Sequence, residues 1–112
     1  MKAVWYEAVG PANQVLQYGE LPDPQPQSGE VRIAVRVSGV NPIDVKKRMG
    51  GRGGMASARV IPHFDGAGVI EAVGEGVDPK RVGERVWFYE AQWQRDNGAA
   101  ADFVCLPAHL AI

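Results

Sequence analysis

Asn41 stands where a strand-like run meets a helix-like one, in Gly39-Val40-Asn41-Pro42-Ile43-Asp44. A junction of this kind projects side chains and the free N–H groups of a helix start into a cleft. The Asn41 amide offers a donor and an acceptor, able to orient a carboxamide or carbonyl without altering charge. The same side chain could also simply cap the helix. A second candidate segment is Ile61-Pro62-His63-Phe64-Asp65-Gly66-Ala67-Gly68. His63 and Asp65 are spaced as two metal donors would be, although such pairs also arise by chance and a zinc site needs three protein ligands. Cys105 lies in an apolar run with no histidine or other base nearby in sequence, which fits a buried, inert thiol better than a nucleophile.

Phe64, Tyr89 and Trp93 could wall a planar substrate such as a quinone. Tyr89 reads as core, Phe64 fits core and pocket equally, and Trp93 in a polar loop either lines a pocket or covers a core edge. Lys46, Lys47 and Arg48 end a helical run, where they face solvent or meet a phosphate. Gly50-Gly51-Arg52-Gly53-Gly54 lacks the Gly-x-x-x-x-Gly-Lys-Ser/Thr pattern and follows a helix rather than a strand. It is expected to be a mobile loop that ends the helix.

The elements that must position these groups are short. Val31, Ile33, Val35 and Val37 alternate with Arg32, Ala34, Arg36 and Ser38, predicting a strand with one buried and one mainly polar face. Further strands are expected over residues 1–7, 15–20, 68–73, 85–89 and 100–106. The single convincing helix runs over residues 43–49. Asn41 precedes it as a candidate N-cap, Pro42 suits its first position, and Asp44 and the three cations lie at the ends the helix dipole favours. Many short strands, one short helix and frequent turns predict a mainly β fold, a small barrel rather than a βαβ sheet.

At 112 residues the chain is one domain in size, and 46% hydrophobic residues supply one core. Twelve basic and 13 acidic residues leave a net charge of -1, which gives no reason to expect a nucleic-acid partner. No apolar run approaches the ~18 residues of a membrane span, and no signal-peptide core is present. The lone cysteine excludes an internal disulfide and agrees with a reducing, cytoplasmic setting.

Met1-Lys2-Ala3-Val4, Ser28-Gly29-Glu30-Val31, Gly39 to Asp44, Gly66-Ala67-Gly68-Val69-Ile70, Val73-Gly74, Val82-Gly83-Glu84-Arg85-Val86 and Gly98 to Val104 occur in one order and spacing. In that order they resemble the N-terminal domain of the medium-chain dehydrogenase/reductase superfamily, in its zinc-free quinone oxidoreductase branch. The resemblance implies a GroES-like β-barrel, with Asn41, Pro42 and Ile43 beside the nicotinamide of NADPH. It implies a quinone or related enone as small-molecule substrate. Zinc members carry a cysteine where Asn41 stands and Gly-His-Glu across His63-Phe64-Asp65. Two ligand positions therefore differ, and no catalytic zinc is expected; residues 88–98 also lack the four cysteines of a structural zinc lobe. Asn41 and Asp65 are the catalytic candidates, Asp65 as an acid through its position alone. The family often has a tyrosine where Lys46 stands, so Lys46 joins Phe64 and Trp93 as a substrate-pocket candidate.

No Gly-x-Gly-x-x-Gly opens a helix after a strand in this chain. The chain thus reads as an isolated substrate-side domain, expected to be inactive until a nucleotide-binding domain supplies the pyrophosphate site. Return strands absent from it would leave an open sheet edge, which favours pairing into a homo-oligomer. Two alternatives stand beside this reading. One is a GroES-like assembly module, for which residues 48–57 would be the partner-binding loop. The other is a zinc alcohol dehydrogenase domain that has lost its ligands.

Overall fold

The computed structural model describes residues 1–51, 53, 55 and 57–112. The expected mobility of Arg52 and Gly54, and part of the expected partner-binding loop, lie outside them. Strand β1 (Lys2–Trp5) pairs antiparallel with β2 (Gln17–Glu20) in a two-stranded sheet. Four strands form the larger sheet: β3 (Glu30–Ser38), β4 (Gly66–Val73), β5 (Arg85–Phe88) and β6 (Phe103–Pro107), in the order β5-β4-β3-β6. All neighbours are antiparallel. Bridges at Ala3–Ala101 and Tyr6–Val60 stitch residues near β1 to the rest of the chain.

The long alternating run is the central strand, paired on both edges. Val31 and Ile33 are fully buried against Ile70, Val86, Phe88, Val104 and Leu106. Each such side chain contributes roughly 1.5–3 kcal/mol through removal of apolar surface from water. The alternation does not persist to the end. A register shift between Val35 and Val37 turns the strand, and Val37 is 63% exposed rather than on the core face expected for it.

β4 begins at Gly66, two residues before the expected start at Gly68. A Cβ on Gly68 would strike the Ala34 carbonyl and lie 2.8 Å from Ile33 Cγ2; one on Gly66 would strike the Val37 carbonyl. Absence of side chains at these two positions lets β3 and β4 close on each other.

The expected helix is α2 (Pro42–Arg48), with Met49 as its C-cap and Gly50 at φ +99°. A second helix, α1 (Ala12–Val15), corrects the count of one. Its single turn is held by Gln14 and Val15 N–H groups on the Pro11 carbonyl, at 3.0 and 3.1 Å. Val15 is therefore helical and β2 starts two residues later than expected. The outer edge of β5 is occupied too: Trp87 and Ile112 exchange backbone hydrogen bonds at 2.8 and 3.3 Å. No helix among the described residues is long and apolar enough to cross a membrane.

Candidate active site

Two backbone segments meet beyond the end of β3. The Gly39 N–H donates to the Asp65 carbonyl at 2.9 Å, one step past the Ser38–Gly66 register pair. Gly39 has no side chain, and the Asp65 carboxylate fills the space a Cβ there would take. From that position Asp65 Oδ2 accepts a hydrogen bond from Asn41 Nδ2 at 3.2 Å. The two catalytic candidates, distant in sequence, are thus direct neighbours, both half-buried.

Asn41 is also the helix cap. Its backbone is extended (φ -124°, ψ 159°), Pro42 follows in the first turn, and Asp44 at the third helical position supplies the acidic half of a capping box. Asp44 Oδ2 accepts the Asn41 N–H at 2.7 Å. The Asp44 N–H donates to the Asn41 backbone carbonyl at 3.0 Å, and the Asn41 side-chain amide is directed to Asp65. Asp44 is only 6% exposed, and its Oδ1 has no hydrogen-bond partner. Together with Val40, Val45, Arg48, Pro62 and His63 it borders a cavity of about 110 Å³. Burial raises the pKa of the neighbouring Tyr6 phenol, Arg48 opposing the shift and Asp44 adding to it.

His63 is engaged by Ser38. At φ 84° it lies in the left-handed region, and its Nδ1 is 2.7 Å from Ser38 Oγ. The same backbone turn carries its carbonyl to the Ala99 N–H at 3.0 Å. Among the described residues no group of three or more His, Cys, Asp or Glu side chains converges as a metal site would require.

Ile43 faces a second recess, about 190 Å³, with Lys47, Phe64, Gln92, Trp93 and Gln94. Ile43 and Lys47 are four residues apart and share one face of α2. Lys46, offset by about 100° around the helix, is exposed and outside this lining. Lys47 rather than Lys46 thus borders the recess beside Phe64 and Trp93, its Nζ 5.9 Å from the Phe64 ring centroid. The opposite wall is fixed to Phe64 by the Ala91 N–H on the Phe64 carbonyl, at 2.7 Å. Arg95 Nη1 gathers that loop by donating to the Glu90 carbonyl at 3.0 Å. Gln92, 2% exposed, was not a sequence candidate; nothing in a polar loop signals that one amide will be buried. Lys47 was within reach of sequence reasoning, through its spacing from Ile43.

Tyr89 packs against the core and lies 5.8 Å from the Trp87 ring. Cys105 is part-buried, and burial, aided by the charge of Glu30, pushes its thiol up to about 12.

Comparison with known proteins gives this geometry a family. The pattern of the alcohol dehydrogenase GroES-like domain matches residues 27–112. Rat quinone oxidoreductase is 37% identical over 98 residues, covering 88% of this chain and 28% of its own length. The mouse synaptic vesicle membrane protein VAT-1 homolog-like is 32% identical over 107 residues, 96% of this chain and 24% of its own. A mycobacterial protein solved in complex with NADPH superposes with a TM-score of 0.84 at 32% identity, covering 99% of this chain and 33% of that one. The chain thus spans about a quarter to a third of the relatives it matches. With its two bridged sheets, its central strand and the Asn41 junction, it belongs to the alcohol dehydrogenase GroES-like domain family of the medium-chain dehydrogenase/reductase superfamily.

Proposed function

We propose that this domain forms the substrate side of an NADPH-dependent, zinc-free oxidoreductase that passes hydride to a quinone or a related electron-poor carbonyl or alkene. The observation that carries the reading is the Asn41–Asp65 hydrogen bond beside a recess walled by Ile43, Phe64 and Trp93. NADPH, when bound, supplies the hydride. The residues present fit that role as a polar edge next to an apolar slot. Asp65 fixes the Asn41 amide, while Ile43 and Phe64 offer faces to a flat acceptor and exclude water from it.

Zinc does not fit the donor set. Asn41 and Phe64 occupy two positions where zinc members place ligands, His63 is engaged by Ser38, and Asp65 by Asn41. Zinc needs three N, S or O ligands of suitable basicity around an open position. Substrate polarisation then falls to hydrogen-bond donors rather than a Lewis acid. The rat quinone oxidoreductase relative and the NADPH-bound mycobacterial structure support the reading by analogy.

The test joins the chain to the nucleotide-binding domain of a quinone oxidoreductase relative and follows NADPH consumption with menadione. The joined protein is expected to turn over and the 112-residue chain alone is not. Asn41→Ala in the joined protein should lower kcat/KM about a hundredfold, the scale of a misplaced reacting group. Turnover by the isolated chain, or stoichiometric zinc bound to the active protein, would overturn the proposal.

A further inference from the structure

Among the described residues, the recess between α2 and the loop carrying Trp93 has one charged lining residue, Lys47. Its other walls are Ile43, Phe64, Trp93 and the neutral amides of Gln92 and Gln94. Among the described residues no carboxylate lies within ion-pair distance of Lys47. The neighbouring cation Arg95 is spent on backbone carbonyls of its own loop, its Nη1 reaching those of Glu90, Ala91 and Trp93. Lys47 Nζ instead stands over the face of Phe64 at 5.9 Å. An ammonium on a partly exposed ring is weakly held, and a charge-assisted hydrogen bond to an oxyanion is stronger.

From this arrangement we infer that the recess selects flat acceptors bearing an anionic oxygen, an enolate or a carboxylate conjugated to the ring. The aromatic body lies against Phe64 and Trp93 and the oxyanion replaces the Phe64 face as partner of Lys47. Gln92 contributes an amide that is almost fully buried, suited to a neutral carbonyl on the same molecule. The selection rests on this recess being the acceptor pocket, so the probes separate the two claims.

Lawsone and menadione are naphthoquinones of nearly equal size; lawsone is an enolate anion at neutral pH and menadione is uncharged. Each is titrated into the chain while tryptophan fluorescence is followed, with Trp93→Phe identifying the part of the signal that arises in the recess. Lawsone should bind about fivefold tighter than menadione, the scale of one part-exposed ion pair, and the ratio should shrink with added salt. Lys47→Met should bring the ratio of the two affinities to about one, and Lys47→Arg should retain it. A circular dichroism spectrum and denaturation midpoint like the parent's show that the variant is folded. Equal binding of both quinones to the parent, or a lawsone preference surviving Lys47→Met, overturns the selection and leaves the pocket standing. Absence of Trp93-dependent quenching by either quinone overturns the pocket assignment, and the selection with it.

Discussion

Gly39→Ala is the most direct probe of how the site is assembled. The new Cβ would fall on Asp65 Oδ1, while the Asp65 carbonyl is 3.5 Å away, an ordinary contact. The side chain, not the backbone, must therefore give way. The Asp65 carboxylate is placed by two rotatable bonds, Cα–Cβ and Cβ–Cγ, and turning either to clear Oδ1 carries Oδ2 away from Asn41 Nδ2, now at 3.2 Å. Loss of a half-buried hydrogen bond to a carboxylate costs about 1–2 kcal/mol, and residual crowding adds about 1 kcal/mol. For a domain of this size the sum of roughly 2–3 kcal/mol lowers Tm by about 8–15 °C. Urea denaturation of four proteins isolates the cause: parent, Gly39→Ala, Asp65→Ala and the double variant. Once Asp65 is alanine the space beside Gly39 is free, so Gly39→Ala should then cost less than about 0.5 kcal/mol. The coupling of about 2 kcal/mol is the quantity to measure. An equal cost of Gly39→Ala in both backgrounds would show that Asp65 does not occupy this space, and the geometry linking it to Asn41 would fall.

Two further predictions concern the frame. Gly68→Ala should be more damaging than any exposed change. Its Cβ meets the Ala34 carbonyl, a backbone atom that moves only if β3 and β4 part, and a loss of about 3 kcal/mol is expected in denaturant titration; a loss under about 1 kcal/mol would refute the packing. Stability should also fall at alkaline pH, because the folded chain holds the protons of Tyr6 and Cys105 more tightly than the unfolded chain does. Both contributions are complete below the ordinary pKa values of these groups and are lost as pH rises through the folded ones, for Cys105 between about 9 and about 12. The denaturation midpoint should therefore hold from neutrality to about pH 9 and decline above it, with Tyr6→Phe and Cys105→Ala each flattening the decline; a midpoint unchanged to about pH 11 would refute this.

Much of the frame was legible because its signals are local. The β3 alternation and the Asn41-Pro42-x-Asp44 helix start are written within a few residues, and each element formed where its pattern stands. What stayed hidden depends on partners far along the chain. The bulge near Arg36 is a mismatch of β3 with β4, so the sequence of β3 alone cannot show that Val37 leaves the core face. The turn of α1 is too short to have a period; it exists because Pro11 supplies a carbonyl to two N–H groups. Gln92 is buried because its loop is tied to the Phe64 carbonyl and gathered by Arg95, neither of which makes a glutamine look apolar.

The site itself is a chain of positioning that runs through backbone proximity. A missing Cβ at Gly39 makes room for Asp65, Asp65 holds the Asn41 amide, and Asn41 with Asp44 fixes the start of α2. The orientation of α2 then decides that Ile43 and Lys47, not Lys46, look toward Phe64. Phe64 precedes Asp65 in sequence, so the same short segment anchors both the polar edge and the apolar wall. For the proposed zinc-free reading this matters physically. Where a shared metal would tie the 39–41 and 63–65 segments together, here one backbone hydrogen bond and one amide–carboxylate contact do so. Such a tie is directional but weaker than coordination, at about 1–2 kcal/mol for the side-chain bond. The Lys47 recess and the Asn41 junction should consequently respond together when either segment is disturbed, since both depend on the same few contacts.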